Sequence, residues 1–401
     1  MQAEDPGAKR LARLAVLPAA MVYVALAMIS GLDRAAADDP RIDDILPGGL
    51  AAEAHLTSAR AALERGDGNA ALNESERALS AAPVDPASSA TLGAARAALH
   101  DTAGADQAFR IAGSLGWRIF YTQAYWIQRA LAVGDYRVAT LRLDALARQS
   151  PALLRQRQLI DPFEASPPAR AALAERLAVA PWRNLYAGEV EGLEPDQLGQ
   201  RALVLESLAN RGTELGCDPI APMVSALIAR GALVQAASLW RGHCRHAGSK
   251  LIYDGNFAAA TIDHDRSDFA WSFLGQRDVS LLLSPDGAGQ AVMVDSTAMR
   301  RIPFMRQLLL VPPGRYKLTW RARTDGGQPS AMAVPAIYCL GLPEVVIDPR
   351  FDRLADAWSG EVTIDNACPA HWLSFTVNPG PARFSLSRVA LEPEDQATHA
   401  P

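Results

Sequence analysis

Lysine is scarce in this chain of 401 residues, where it occurs only as Lys9, Lys250 and Lys317. Arginine supplies nearly all of the positive charge, there is no basic tract, and the formal net charge is −5. Nucleic-acid binding depends on clustered cations that neutralise phosphates, so the composition argues against a nucleic-acid partner. Hydrophobic residues make up 49% of the chain, which is enough for sizeable cores in two domains and a tail.

Recognisable catalytic motifs are also missing. The sequence contains no G-x-S-x-G nucleophile motif and no H-E-x-x-H zinc motif. The most suggestive polar cluster is Asp263-His264-Asp265, which could bind calcium through Asp263 and Asp265, with a solvated loop as the alternative. We therefore expect no cofactor and no enzymatic activity, and an enzyme on the second domain remains an alternative.

The first half of the chain carries an internal repeat. Three aspartates lie 34 residues apart, namely Asp67, Asp101 and Asp135. Four positions after each comes a small residue, namely Ala71, Ala105 and Ala139. Small residues at helix crossings allow one helix pair to bury its apolar stripe against the next, and this spacing resembles the tetratricopeptide repeat family. The resemblance implies an α-solenoid whose concave face binds a protein partner, and an alanine-rich helical bundle is the alternative.

The N-terminus has the charge pattern of an export signal. Three cations, Lys9, Arg10 and Arg13, precede an uncharged apolar run over residues 14–32. Positive charge before such a run keeps the N-terminus in the cytoplasm, and the run is just long enough to span a bilayer. We expect an uncleaved anchor in the inner membrane, with a cleaved signal peptide as the alternative. Either way, the remainder is expected in a bacterial periplasm.

The four cysteines predict disulfides, because an even number in an exported chain commonly forms bridges. Sequence order gives one pair to each domain, which predicts Cys217–Cys244 and Cys339–Cys368. The alternative is a zinc site made by all four, but no two of them are as close in sequence as in a zinc ribbon.

The pattern changes near Lys250 from helical to alternating, with about ten short runs bounded by Gly, Pro and Asp. The fold class we predict is multidomain α + β, with a helical-repeat domain followed by an antiparallel β-sandwich. The expected ranges are 1–37 for the anchor or signal, 38–48 for a linker, 49–248 for the repeats, 250–392 for the sandwich and 393–401 for a disordered tail.

Three segments of the second domain carry a further resemblance. The runs LIYDGNF (251–257), DFAWSF (268–273) and VPPGRYKLTWRAR (311–323) resemble jelly-roll carbohydrate-binding modules. The resemblance implies sugar binding on exposed aromatic rings, or a sandwich that only contacts another protein. The candidates are Tyr253, Trp271, Trp358 and Trp372, each with a place in the sandwich core as the alternative. Trp358 and Trp372 lie nearest to predicted loops, which favours them.

One strand, over residues 315–323, predicts a second candidate surface. Side chains alternate between the faces of a strand, so Tyr316, Leu318, Trp320 and Ala322 should enter the core. The opposite face then carries four cations, namely Arg315, Lys317, Arg321 and Arg323. Their positive charge is balanced either by carboxylates from neighbouring strands or by an anionic partner, such as a uronic-acid polymer or an acidic protein surface.

Taken together, these features resemble the periplasmic repeat proteins of bacterial exopolysaccharide systems. The resemblance implies a non-enzymatic scaffold or adaptor that holds a protein partner through its repeats. A carbohydrate-binding protein that acts through the sandwich is the alternative.

Overall fold

A computed structural model describes residues 6–35, 51–244, 250–262, 267–339, 343–365 and 368–394, with the side chains of the first helix described from residue 18. The chain forms two compact units, Met1–Pro151 and Ala152–Pro401. Helices come first and two antiparallel sheets follow, which confirms the predicted fold class.

The first unit contains helix α1 and three successive helix pairs. Their bounds are α1 Pro6–Ala35, α2 Ala52–Glu64, α3 Gly68–Ala81, α4 Pro86–Ala98, α5 Thr102–Leu115, α6 Phe120–Ala132 and α7 Tyr136–Gln149. The second helix of each pair follows one of the periodic aspartates, whose carboxylates accept hydrogen bonds from the backbone N–H groups of Ala70, Gly104 and Val138. The period of 34 therefore marks helix N-caps. Membership of the tetratricopeptide family stays a prediction.

The predicted membrane anchor over residues 14–32 needs correction. Among the described residues, no helix is both long enough and apolar enough to cross a membrane. The described side chains of α1 begin at Pro18 and include the charged Asp33 and Arg34. Asp33 Oδ1 also accepts hydrogen bonds from the backbone N–H groups of Glu53 and Ala54, at 3.0 and 3.3 Å, so this end of α1 caps α2.

The second unit begins with six further α-helices, which follow a short 3-10 helix at Pro151–Arg155. They are α8 Arg157–Glu164, α9 Pro167–Leu177, α10 Arg183–Gly188, α11 Pro195–Asn210, α12 Cys217–Ala229 and α13 Leu233–His243. A buried carboxylate, that of Glu164, joins three of them. It accepts hydrogen bonds from the Tyr186 hydroxyl at 2.7 Å, from Arg201 Nε at 2.9 Å and from Arg157 Nη2 at 2.6 Å.

Eleven strands make up the described part of the sandwich. They are β1 Ser272–Phe273, β2 Val279–Asp286, β3 Gly289–Ser296, β4 Ile302–Leu309, β5 Gly314–Thr324, β6 Ala333–Tyr338, β7 Val345–Val346, β8 Arg350–Asp352, β9 Ala357–Ile364, β10 His371–Val377 and β11 Ala382–Pro393. The five-stranded sheet has the order β1-β4-β10-β6-β7, and the six-stranded sheet has the order β2-β3-β11-β5-β9-β8. Aromatic side chains, among them Phe304, Trp320, Phe375 and Phe384, fill the space between the sheets.

Both predicted disulfides are confirmed, as Cys217–Cys244 and Cys339–Cys368. Because the sulfurs are joined in pairs, the alternative of a four-cysteine zinc site does not apply. The first bridge lies against Tyr253, whose hydroxyl is 3.4 Å from Cys217 Sγ and 3.6 Å from Cys244 Sγ. The Tyr253 ring also packs edge-on against Trp240 of α13, with 5.3 Å between the ring centroids. Tyr253 therefore joins the helices of the second unit to the sandwich.

Candidate functional site

The predicted row of cations lies on the outer face of the six-stranded sheet. Tyr316, Leu318, Trp320 and Ala322 are buried, as the alternation predicts. Arg315 Nη2 lies 3.4 Å from Glu361 Oε2, and Arg315 Nε lies 3.2 Å from Glu394 Oε2.

The other cations of the row also have acidic neighbours. Asp356 lies against both Arg321 and Arg323, and Lys317 stands opposite Glu361 and Glu392 in the strand register. Partial burial, with Arg388 and Arg323 nearby, lowers the pKa of Arg321. The structure thus supplies the carboxylates of the first alternative, whereas an anionic partner for this row stays a prediction.

Three of the four aromatic candidates pack inside the protein. Trp271 is 5% exposed and lies between Phe257 and Phe375 in the core. Trp358 stands opposite Trp320 in the register of β5 and β9, so the two indoles share the core side of the sheet. Tyr253 is buried against Trp240 and the Cys217–Cys244 disulfide, as described above. Trp372 points to the outer side of its sheet, where it is 9% exposed, whereas Trp358 is half-buried.

The outer face of the five-stranded sheet follows from the alternation in β10. Leu373 and Phe375 enter the core, so Trp372, Ser374 and Thr376 point to the opposite side. Residues paired across neighbouring strands share a face. Arg306 stands opposite Ser374, and Tyr338 stands opposite Trp372, so these side chains line the same surface.

Arg306 and Trp372 are stacked on this surface. The guanidinium carbon of Arg306 lies 4.3 Å from the centroid of the Trp372 ring, within the range of a cation–π contact. No carboxylate of the described residues pairs with Arg306, and its buried Nε–H has no hydrogen-bond acceptor among them. The stack is therefore a half-buried cation on an aromatic ring with no carboxylate of the described residues within salt-bridge distance.

A pocket of about 270 Å³ lies on the same side of the sheet. Its lining is mixed in charge and polarity, and consists of Arg301, Pro303, Tyr338, Glu344, Ser374 and Thr376. The Ser374 hydroxyl donates to Glu344 Oε1 at 3.5 Å, and Arg301 Nη2 donates to Asn378 Oδ1 at 3.3 Å. We call the surface formed by Arg306, Tyr338, Glu344, Trp372 and Ser374 the Trp372 face.

Two groups of residues are relevant to a metal site. The candidates Asp263 and Asp265 lie outside the described residues. Cys339, Cys368 and His371 place one potential ligand atom each within 4.8 Å of the others, but the two sulfurs form a bridge and offer no thiolate. Burial lowers the pKa of His371.

Comparisons with known proteins give weak similarities. No family model matches the chain, and no curated protein matches it. The carbohydrate-binding module TmCBM61, solved with β-1,4-galactotriose, is 12% identical, covers 37% of this chain and all of its own, and has a TM-score of 0.27. A family 11 carbohydrate-binding module of Clostridium thermocellum is also 12% identical, covers 31% of this chain and 88% of its own, and has a TM-score of 0.19.

A tailspike protein of bacteriophage CBA120 gives a third match. It is 9% identical, with a TM-score of 0.27, and the aligned region covers 36% of this chain but only 21% of the tailspike chain. None of these identities or TM-scores is high enough to transfer a function.

Of the residues on the Trp372 face, Trp372 was predicted from the sequence, whereas Arg306, Tyr338, Glu344 and Ser374 were not. A signal for Arg306 was present, since it is the only charged residue in the apolar strand Ile302–Leu309. Its meaning depends on the strand order, because β4 and β10 are neighbours in the sheet but distant in sequence.

Proposed function

We propose that this protein binds carbohydrate through the Trp372 face. The observation that carries the proposal is a small polar pocket next to the Arg306–Trp372 stack on the outer face of the five-stranded sheet. Binding sites for small molecules combine apolar or aromatic walls with a few placed polar groups. Here the half-buried Tyr338 and the small exposed part of Trp372 supply aromatic surface, while Glu344 accepts hydrogen bonds and Arg306 donates them. Sugars present both apolar C–H faces and hydroxyl groups, so they match this combination.

We also propose that the protein binds sugar without cleaving it. Of the described residues that line the pocket, Glu344 is the one carboxylate. Glycoside hydrolysis ordinarily needs two carboxyl groups, placed about 5 to 9.5 Å apart. The neighbour of the Ser374 hydroxyl is Glu344, and His371 lies on the other face of β10 with Leu373, so no serine–histidine pair forms there.

Our proposal for its location is an oxidising compartment outside the cytoplasm, such as a periplasm. The two disulfides support this, because bridges persist in exported proteins and are rare in reducing compartments. The scaffold function, in which the helices of the first unit hold a protein partner for exopolysaccharide assembly, stays a prediction. Capture of a partner by the full-length protein would test it separately from sugar binding.

Sugar binding is tested first on a glycan array with oxidised full-length protein, and then by calorimetry with the best oligosaccharide. We expect Trp372→Ala to weaken binding roughly 30-fold, the effect of removing an aromatic residue that dominates an interface. The matched control is Trp117→Ala, because Trp117 is 49% exposed and lies in the first unit. This control should bind as the wild type does.

Trp372 is only 9% exposed, so its loss could also disturb the fold. Glu344→Ala, at an exposed position, provides a second variant, for which we expect a roughly fivefold to tenfold loss from the removed hydrogen bonds. Circular dichroism and thermal unfolding establish that each variant is folded. Full affinity in both folded variants, or no glycan bound by the wild type, would refute the proposal.

A further inference from the structure

We infer that the carbohydrate bound by the Trp372 face contains a uronic acid, whose carboxylate meets Arg306, next to a neutral sugar that meets the pocket. This inference rests on the proposed function and adds the class of ligand to it. It follows from the way in which Arg306 differs from four arginines of the six-stranded sheet.

Four arginines of the six-stranded sheet have acidic partners within the protein. Arg315 pairs with Glu361 and Glu394, Arg321 and Arg323 share Asp356, and Arg383 Nε lies 2.8 Å from Asp295 Oδ2. Arg306 has no such partner among the described residues. A solvated arginine at a loop needs none, but Arg306 is half-buried against an indole, where a missing counter-charge costs more.

The geometry of the stack leaves part of the guanidinium free for a ligand. Its face lies over Trp372, and its Nε is buried. Its two terminal nitrogens are not among the buried atoms and have no hydrogen-bond partner among the described residues. A guanidinium presents its N–H groups in its own plane and matches the two oxygens of a carboxylate. The stack therefore holds a preorganised carboxylate receptor in place.

Glu344, on the same face as Arg306, restricts the ligand further. Ser374 stands opposite Arg306 in the register, and its hydroxyl contacts the exposed carboxylate of Glu344. Beside Ser374, a second ligand carboxylate would be repelled by Glu344, whereas sugar hydroxyls can donate to it. Arg301 also lines the pocket, but its guanidinium donates to Asn378 Oδ1 at 3.3 Å. The face therefore suits a uronic acid beside a neutral sugar better than an unbroken run of uronic acids.

The test compares each acidic oligosaccharide with the same oligosaccharide after its carboxyl groups have been reduced to primary alcohols. Calorimetry at low salt on the oxidised full-length protein should show at least tenfold tighter binding of an acidic oligosaccharide with alternating uronic and neutral sugars, as expected for charged hydrogen bonds. Added salt should weaken binding of the acidic form more than that of the reduced form. A run of uronic acids alone should bind more weakly than the alternating oligosaccharide.

Variants at Arg306 assign the preference to this residue. Arg306→Gln should bring the two affinities to within about twofold while the reduced oligosaccharide still binds, because only the charged contact is lost. Arg306→Lys should keep part of the preference, since a charge remains without the planar fork. The matched control Arg321→Gln, on the other sheet, should keep the full preference. Circular dichroism checks that each variant is folded.

The outcomes separate this inference from the proposed function. If neutral glycans bind through Trp372 and carboxyl reduction does not change affinity, the inference is wrong and the proposed function stands. The same conclusion follows if folded Arg306→Gln and Arg306→Lys both keep the full preference. If no glycan binds the wild type, both fail.

Discussion

The two outer faces of the sandwich carry cations in opposite situations. On the six-stranded sheet a row of like charges is conspicuous in the sequence, yet Glu361, Glu394 and Asp356 lie beside it in the fold. On the five-stranded sheet one strand cation, Arg306, is inconspicuous in the sequence and has no acidic partner among the described residues. The difference shows that the charge along one strand does not by itself identify unpaired charge, because neighbouring strands supply counter-ions.

The largest expected effect concerns the two disulfides, only one of which adjoins the Trp372 face. Cys339 directly follows Tyr338, and Cys368 lies four residues before Trp372, so this bridge holds the two facing aromatic residues. The bridges span 27 and 29 residues, and the chain-entropy model gives each roughly 3 to 4 kcal/mol. Replacing either cysteine pair by serine should therefore lower the free energy of unfolding by a similar amount.

Sugar binding should distinguish the two serine variants. Loss of Cys339–Cys368 should weaken binding several-fold at a temperature where the protein remains folded, because Tyr338 and Trp372 are held less firmly. Loss of Cys217–Cys244 should leave affinity unchanged, since that bridge lies at the joint with Tyr253. Denaturant unfolding and calorimetry on both variants measure the two effects. Equal affinities in the two serine variants would show that the Cys339–Cys368 bridge does not support binding at the Trp372 face.

The second prediction removes an acidic partner from the cations of the six-stranded sheet, so that they resemble Arg306. Asp356 has φ 50° and contacts both Arg321 and Arg323, so Asp356→Asn removes the charge at a position whose backbone conformation asparagine tolerates. We make this change in protein that already carries Arg306→Gln. The double variant should bind acidic oligosaccharide weakly and in a salt-sensitive way, with an affinity several-fold higher than that of the Arg306→Gln variant. Asp348→Asn, at another exposed position, is the control. No gain at low salt would mean that an unpaired arginine pair is insufficient, and that the indole below Arg306 is essential.

Several features of the fold were predictable because they depend on local chemistry. Asp67, Asp101 and Asp135 each cap a helix, so their spacing gave the length of the helix pair. Alternation along β5 identified its buried side, because successive side chains of a strand point to one or the other of only two faces. The disulfide pairing followed from the division of the chain into a helical part and a sandwich.

Other features depend on contacts between distant parts of the chain. The run 251–255 reads as a strand, but the structure has turns there, with Asp254 at φ 48°, and Tyr253 packs against helix α13. Glu164 looks like one of many surface acids, yet its buried partner Arg201 lies 37 residues away. The lack of an ion pair at Arg306 likewise depends on the strand order, because an acid placed opposite Arg306 on a neighbouring strand could have paired with it.

The smallest expected effect is a pH dependence of stability from the sheet that carries the Trp372 face. Burial lowers the pKa of His371, and Asp365 opposes this shift in part. The folded pKa therefore lies below the unfolded value of about 6.5, so both states are neutral above that pH and stability is complete. As the pH falls below about 6.5, the unfolded chain binds a proton first, and stability is lost until the folded pKa is passed.

This loss should stay below about 1.4 kcal/mol for each pH unit, the limit set by one proton. His371→Asn should flatten the dependence of unfolding free energy on pH in the range below about 6.5. His100→Asn is the matched control, since His100 is exposed and lies at φ 61°, which asparagine tolerates. His243, whose pKa burial also lowers, should contribute the part of the slope that remains. Denaturant unfolding at closely spaced pH values measures these slopes. An identical slope in His371→Asn and the wild type would show that this imidazole takes up a proton equally well in the folded sheet, contrary to its burial.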